Sequence, residues 1–119
     1  MEDNNKKFLP IGTVVLLKGG KKELMIMSYC VFPTGEAYDK NGKTSVNGMM
    51  FDYGGCFYPE GMIKSDQLFV FNHDQIDRVC FKGYVTESYS EISDKLNDNY
   101  DKLKKTSIKL NTTQEETII

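Results

Sequence analysis

Long apolar runs are missing from this sequence, and so is any block of charge of one sign. No stretch approaches the roughly 18 consecutive apolar residues of a membrane-crossing helix. Met1 to Lys7 is polar where a secretory signal would carry its apolar segment. A cytoplasmic chain with no membrane partner is the expectation. Formal net charge is −2, with ten basic and ten acidic residues up to Val85 and five against seven beyond it. Neither part is basic, which argues against a nucleic-acid partner, because phosphates are held by clustered Lys and Arg. Histidine occurs once, and the three cysteines, Cys30, Cys56 and Cys80, are far apart and odd in number. A disulfide framework and a His/Cys metal shell both lack their residues, and the apolar neighbours of each cysteine predict free, buried thiols.

What is present suits one small domain. At 119 residues, with 39% apolar and 12% aromatic residues, the chain has material for a single core despite 27% charged residues. The reading is a polar leader over residues 1–8, one domain over 9–105 and a flexible tail over 106–119, where Ile108, Leu110, Ile118 and Ile119 are too sparse to anchor a core segment. Thr13-Val14-Val15-Leu16-Leu17 predicts a buried strand closed by a turn at Lys18-Gly19-Gly20. Leu24 to Phe32 is apolar on both alternating faces, as in a strand that curls within a small barrel, and the two runs pair as a hairpin. The polar stretch from Glu36 to Gly48 is a surface loop or an exposed hairpin. Strand pattern resumes at Met49, with a bulge or bend expected at Gly54-Gly55, and again at Leu68-Phe69-Val70-Phe71. Asn72 with Gln75 predicts a capping box opening one helical turn, and Arg78 to Tyr84 reads as a final half-exposed strand.

The clearest helix is predicted over about 87–105, capped by Ser88 with Glu91 three residues on. Tyr89, Ile92, Leu96, Tyr100 and Leu103 follow at spacings of three, four, four and three, which aligns them on one stripe. Glu91 with Lys95, Asp98 with Lys102, and Asp101 with Lys105 are acid-before-base pairs that support a solvated opposite face. The fold class is therefore α+β: a small curved, mostly antiparallel sheet or partly open barrel of five or six strands over 9–84, then one amphipathic helix. Short connections require antiparallel neighbours, since parallel ones need crossovers of a dozen or more residues.

Three segments are more specific than these patterns. They are Leu9-Pro10-Ile11-Gly12-Thr13-Val14-Val15-Leu16-Leu17-Lys18-Gly19-Gly20, Asp52-Tyr53-Gly54-Gly55-Cys56-Phe57-Tyr58-Pro59-Glu60-Gly61, and Phe71-Asn72-His73-Asp74-Gln75-Ile76-Asp77-Arg78-Val79 with Phe81 and Gly83-Tyr84. Together they resemble a family of small proteins encoded beside LXG toxins in Gram-positive type VII secretion loci. The resemblance spans residues 9 to 84. It implies a non-enzymatic targeting factor that binds the N-terminal helical region of a toxin, often with a small helical WXG100-like protein, and readies the complex for export. Co-export with the toxin stays open. Two departures stand out: the stretch from Glu36 to Gly48 is longer than the family's connection, and the C-terminal helix has no aromatic followed four residues later by Asp or Glu.

Candidate chemistry is thin. His73, between Asn72 and Asp74, reads as a turn residue at a helix start, since no second histidine accompanies it. A Cys56/His73 nucleophile and base would need a reactive thiol, whereas a buried one is inert. Lys18 to Lys22 lacks the Ser or Thr and the helix of a phosphate loop. Asp52, Glu60, Asp74 and Asp77 have turn or surface roles unless folding makes them converge. No catalytic, cofactor or metal site is therefore expected. The protein-binding candidates are Tyr89, Ile92, Leu96, Tyr100 and Leu103, whose stripe either packs on its own sheet or docks partner helices. The aromatic stock of Phe51, Tyr53, Phe57, Tyr58, Phe69 and Phe71 exceeds what a small barrel always buries, so part of it can form an exposed patch. The alternative function is an immunity-type protein that inhibits a toxin's catalytic domain.

Overall fold

A computed structural model describes residues 8–33, 36–39, 42–45, 49–64 and 67–105; the leader through residue 7 and the tail from 106 lie outside the described residues. Seven strands form one sheet: β1 (Val14–Leu17), β2 (Leu24–Val31), β3 (Glu36–Asp39), β4 (Gly42–Ser45), β5 (Phe51–Phe57), β6 (Phe69–Phe71) and β7 (Ile76–Phe81). A 3-10 turn, His73–Gln75, separates β6 from β7, and the helix α1 (Glu87–Asp98) follows. Helical geometry resumes over 100–105 after a break at Asn99. The expected α+β arrangement is present, and the hairpin reading of the polar stretch supplies β3 and β4.

Sheet order is β4-β3-β6-β5-β2-β1-β7, antiparallel throughout except where β3 meets β6 at Tyr38 and Phe69. The sheet is curled. β1 and β3 stand four places apart, which in a flat sheet means about 19 Å, yet residues of both line one cavity. Register shifts drive the curl, because an unpaired residue bends its strand and increases local twist. Two fall between β1 and β7, and one between β2 and β5, where Ile26 faces Gly55 and Ser28 faces Gly54. The irregularity expected at Gly54-Gly55 is thus real, but the extra residue, Met27, belongs to the opposite strand.

The core consists of Phe8, Val15, Leu17, Leu24, Ile26, Tyr53 and Phe71, each worth about 1.5–3 kcal/mol when fully buried. Phe8 stood in the polar leader of the sequence reading. Here it is 1% exposed, with its ring edge-on to Tyr29 at 5.5 Å and to Tyr53 at 5.9 Å.

Two expectations about the far end of the sheet need correction. β7 is exposed on both faces from Asp77 to Phe81 instead of alternating, because it is the edge strand next to β1 and nothing described packs over it. For the same reason the Cys80 thiol is exposed, whereas Cys56 is buried and Cys30 half-buried; none of the three is in a disulfide.

Helix α1 is capped two residues earlier than predicted. Thr86 has extended backbone angles, and its hydroxyl accepts the Tyr89 N–H at 2.9 Å, so Ser88 lies inside the first turn. No described helix is long and apolar enough to cross a membrane.

Candidate interaction surface

The five stripe residues do not share one environment. The Tyr89 hydroxyl donates to the Phe8 carbonyl at 2.6 Å. Leu96 and Tyr100 pack on the core, and Leu103 is half-buried. Ile92 alone is strongly exposed, at 47%. The side of the helical segment that meets the sheet runs through Tyr89, Ser93 and Leu96 on α1 and continues at Tyr100 beyond the break, at spacings of four, three and four, and Ser93 is fully buried. A small side chain there lets the helix approach closely, which rotates Ile92 onto the flank. Most of the stripe therefore serves the domain's own packing.

Behind that contact lies a polar network. Asp52 on β5 is 2% exposed; its Oδ1 accepts the Tyr100 O–H at 2.6 Å and its Oδ2 the His73 N–H at 2.8 Å. Its own N–H donates to Asn72 Oδ1 at 3.0 Å, while Gln75 Oε1 accepts the Asn72 N–H at 2.7 Å, so the expected capping box orders the turn. The Tyr53 hydroxyl accepts the Leu9 N–H at 3.0 Å and stands 2.8 Å from His73 Nδ1. With that hydroxyl already accepting, its proton can point at Nδ1 of a neutral imidazole. The Tyr29 hydroxyl donates to the Leu9 carbonyl at 2.6 Å. Residues 8 and 9 belong to no strand, so their backbone groups need other partners, and three tyrosines supply them. His73 is thus a turn residue, as expected, with a further role in fastening the chain ahead of β1.

Burial pushes the Tyr29 phenol up to about 12, with the neighbouring Tyr89 adding to the rise. Tyr53 and Tyr100 move the same way, chiefly by burial, and Tyr100 also through its bond to Asp52. The folded state then keeps protons that the unfolded chain gives up above about pH 10, its ordinary phenol value. Stability is therefore expected to hold below pH 10 and to fall as pH rises from about 10 to 12. Urea midpoints measured at pH 9 and pH 11.5 check this; Tyr29→Phe should show a smaller drop than wild type, and an equal drop would remove Tyr29 as a contributor.

The carboxylates do not form one cluster. Asp52 and Asp74 both act on the Tyr100 hydroxyl, Glu60 pairs with Lys22 at 2.8 Å, and Asp77 lies exposed on β7. The Glu60 carboxyl is held below its usual range by its hydrogen bond to Lys22. Burial pushes the Cys56 thiol up, and His73 Nδ1 already faces Tyr53.

Apolar surface gathers instead beside the β7 edge. Phe81 is 63% exposed and Tyr84 84%, with Val79, Val85, Ile11 and Ile92 each also exposed. Ile11, Tyr29, Tyr84, Tyr89 and Ile92 line a hollow of about 400 Å³ between the chain ahead of β1 and the start of α1. Gly83 N–H donates to Thr13 Oγ1 at 2.9 Å, which ties the 82–86 link to the residue just ahead of β1 and so positions Tyr84. Sequence reasoning chose Ile92 and missed Ile11, Phe81 and Tyr84. The available signal was the run Phe81-Lys82-Gly83-Tyr84-Val85, apolar residues in a connection with no strand left to cover them.

A curled sheet with a fastened helix and an exposed apolar margin defines a small α+β domain. Residues 8–92 match the family described as a domain of unknown function (DUF4176), and the chain belongs to that family. The match starts at Phe8, the first residue of the core, and ends at Ile92 on α1. No curated protein and no solved structure matched the chain.

Proposed function

We propose that this protein is a non-enzymatic targeting factor that binds the N-terminal helical region of an LXG toxin in the cytoplasm, alone or with a small helical WXG100-like protein, for export by a type VIIb secretion system. The exposed apolar margin at Ile11, Phe81, Tyr84, Val85 and Ile92 carries the binding half of this reading, since apolar surface gathered in one region usually marks an interaction site. Aromatic anchors such as Tyr84 and Phe81 are the residues that dominate interface energies. The identity of the partner comes from the resemblance of the three segments within residues 9–84, which lie inside the matched 8–92.

Co-purification with the separately expressed halves of the neighbouring toxin, with and without the small helical protein, tests it. Retention on the N-terminal half is expected; retention only on the C-terminal half would establish the immunity alternative instead. Tyr84→Ala and Ile92→Asp should each leave the melting temperature within a few degrees of wild type and weaken binding by about 2 kcal/mol, roughly thirtyfold. Leu96→Asp does not serve as a binding test, because Leu96 packs on the core.

A further inference from the structure

Residues 8–11 form a strap ahead of β1: Phe8 fills the core and Ile11 makes one wall of the apolar hollow, although neither lies in a strand. Three tyrosine hydroxyls hold it, Tyr29 and Tyr89 by donating to the Leu9 and Phe8 carbonyls and Tyr53 by accepting the Leu9 N–H. The Tyr53 hydroxyl also meets a titratable ring, standing 2.8 Å from Nδ1 of His73, the single histidine of the chain. Histidine is the side chain whose ordinary value puts its change of charge between about pH 5 and 8.

We propose that His73 and Tyr53 form a proton-operated latch on this strap, closed while the imidazole is neutral and opened when it is protonated. In the closed state Tyr53 Oη accepts the Leu9 N–H and gives its own proton to Nδ1. A neutral imidazole offers a lone pair at one nitrogen, whereas a protonated one donates from both. Protonation therefore turns the Tyr53 proton off Nδ1 and aims a charged N–H at the oxygen that receives Leu9. A charge-assisted bond is about twice as strong as a neutral one, so the imidazolium displaces the Leu9 N–H. Tyr53 is fully buried, with its ring 5.4 Å from that of Phe71 and 5.9 Å from that of Phe8, which limits how far its hydroxyl can move to serve both.

The surroundings admit the proton. Asp52 on β5 accepts the backbone N–H of His73 at 2.8 Å, and Asp74 follows on the turn itself, so two carboxylates stand near the ring. On the helical segment over 100–105, the Tyr100 phenol is bonded to Asp52, and Lys104 sits at the Met50 carbonyl at 3.3 Å as the one cation of that group. Tyr29 from β2 and Tyr100, both raised by burial, add no charge in the neutral range. The strap is thus held above the ordinary histidine value of about 6.5 and let go as pH falls through it. Opening moves Ile11 and so unmakes one wall of the hollow. The latch belongs to the free chain and does not depend on which partner the apolar margin binds.

NMR spectroscopy of the full chain between about pH 7.5 and about pH 5.5 tests the latch. With one histidine in the chain, the ring titration is unambiguous. Leu9 amide exchange, corrected for its intrinsic pH dependence, is expected to rise about tenfold with the same midpoint as the ring, and the Ile11 methyl signals should shift with it. His73→Asn puts a carbonyl oxygen in the place of Nδ1, an acceptor with no proton to gain in this range, so Leu9 exchange should stay slow throughout. An invariant Leu9 amide across the ring titration overturns the latch, and so does a ring that fails to titrate in this window. Leu9 opening in acid as fully in His73→Asn as in wild type overturns it too, because the proton then acts elsewhere. If His73→Asn lowers the melting temperature at neutral pH, the coincidence of the two wild-type midpoints decides the matter by itself.

Discussion

Asp52→Ala is expected to destabilise the domain by about 3 kcal/mol, because a buried carboxylate that accepts hydrogen bonds from two separate elements is removed. Asp52 is 2% exposed, and its two oxygens hold Tyr100 on the helical segment and the backbone of His73 in the turn after β6. Loss of the carboxylate removes the acceptor of a half-buried phenol and of the His73 N–H, and each such lost bond to a charged acceptor costs about 1.5–3 kcal/mol. For a domain of this size that is a fall of well over 10 °C in melting temperature. Tyr100→Phe should cost less, since the donor disappears with its hydrogen bond and one acceptor site alone is left unfilled. Thermal melts of the two variants check the order. If Asp52→Ala cost under 1 kcal/mol, the helix would be held by apolar packing alone and the network would be incidental.

The second large effect concerns backbone approach. A Cβ added at Gly55 would collide with the carbonyl oxygen and carbon of Met25 on β2, so two paired strands would have to separate. Gly55→Ala is expected to cost more than 3 kcal/mol, beyond the usual 1–3 kcal/mol of an overpacked core. Gly54→Ala is the informative comparison. Its Cβ would meet only side chains, Ser28, Leu68 and Val31, and the Ser28 hydroxyl can rotate away. About 1–2 kcal/mol is expected there. Denaturant unfolding of both variants separates them; equal costs would mean that β2 shifts freely at Met25 and that the crowding is not backbone-determined.

These contrasts bear on what can be read from a chain of this kind. Apolar patterning located these long elements, because the short apolar runs at Val14–Leu17 and Leu24–Val31 and the helical spacing after residue 87 are local properties. The capping box at Asn72 and Gln75 was legible for the same reason, its partners being three residues apart. The helix cap moved from Ser88 to Thr86 because both can accept from the first turn, and the choice follows from where the 82–86 link is fastened by Gly83 to Thr13. Ile92 was placed on one stripe with Tyr89, Leu96, Tyr100 and Leu103 because it is apolar, whereas the buried position belongs to Ser93, whose small side chain carries no hydrophobic signal. Phe8 was assigned to the leader since six polar residues precede it within seven; its burial depends on rings contributed by residues 29, 53 and 100.

The amino-acid sequence by itself determined the α+β class, the mostly antiparallel pairing and the order of elements along the chain, since these follow from side-chain period and connection length. It also carried the family likeness through three contiguous segments. Only the tertiary structure decided which face of α1 is spent on the core, that Asp52 and three tyrosines fasten the chain ends to the sheet, and that the exposed surface lies at Ile11, Phe81, Tyr84 and Ile92. The physical reason is separation along the chain: the Phe8–Tyr89 bond spans 81 residues and the Asp52–Tyr100 bond 48, and the cavity joins strands four places apart in the sheet. Contacts of that kind depend on the curl of the whole sheet, which arises from single unpaired residues such as Met27 that leave no local mark in the sequence.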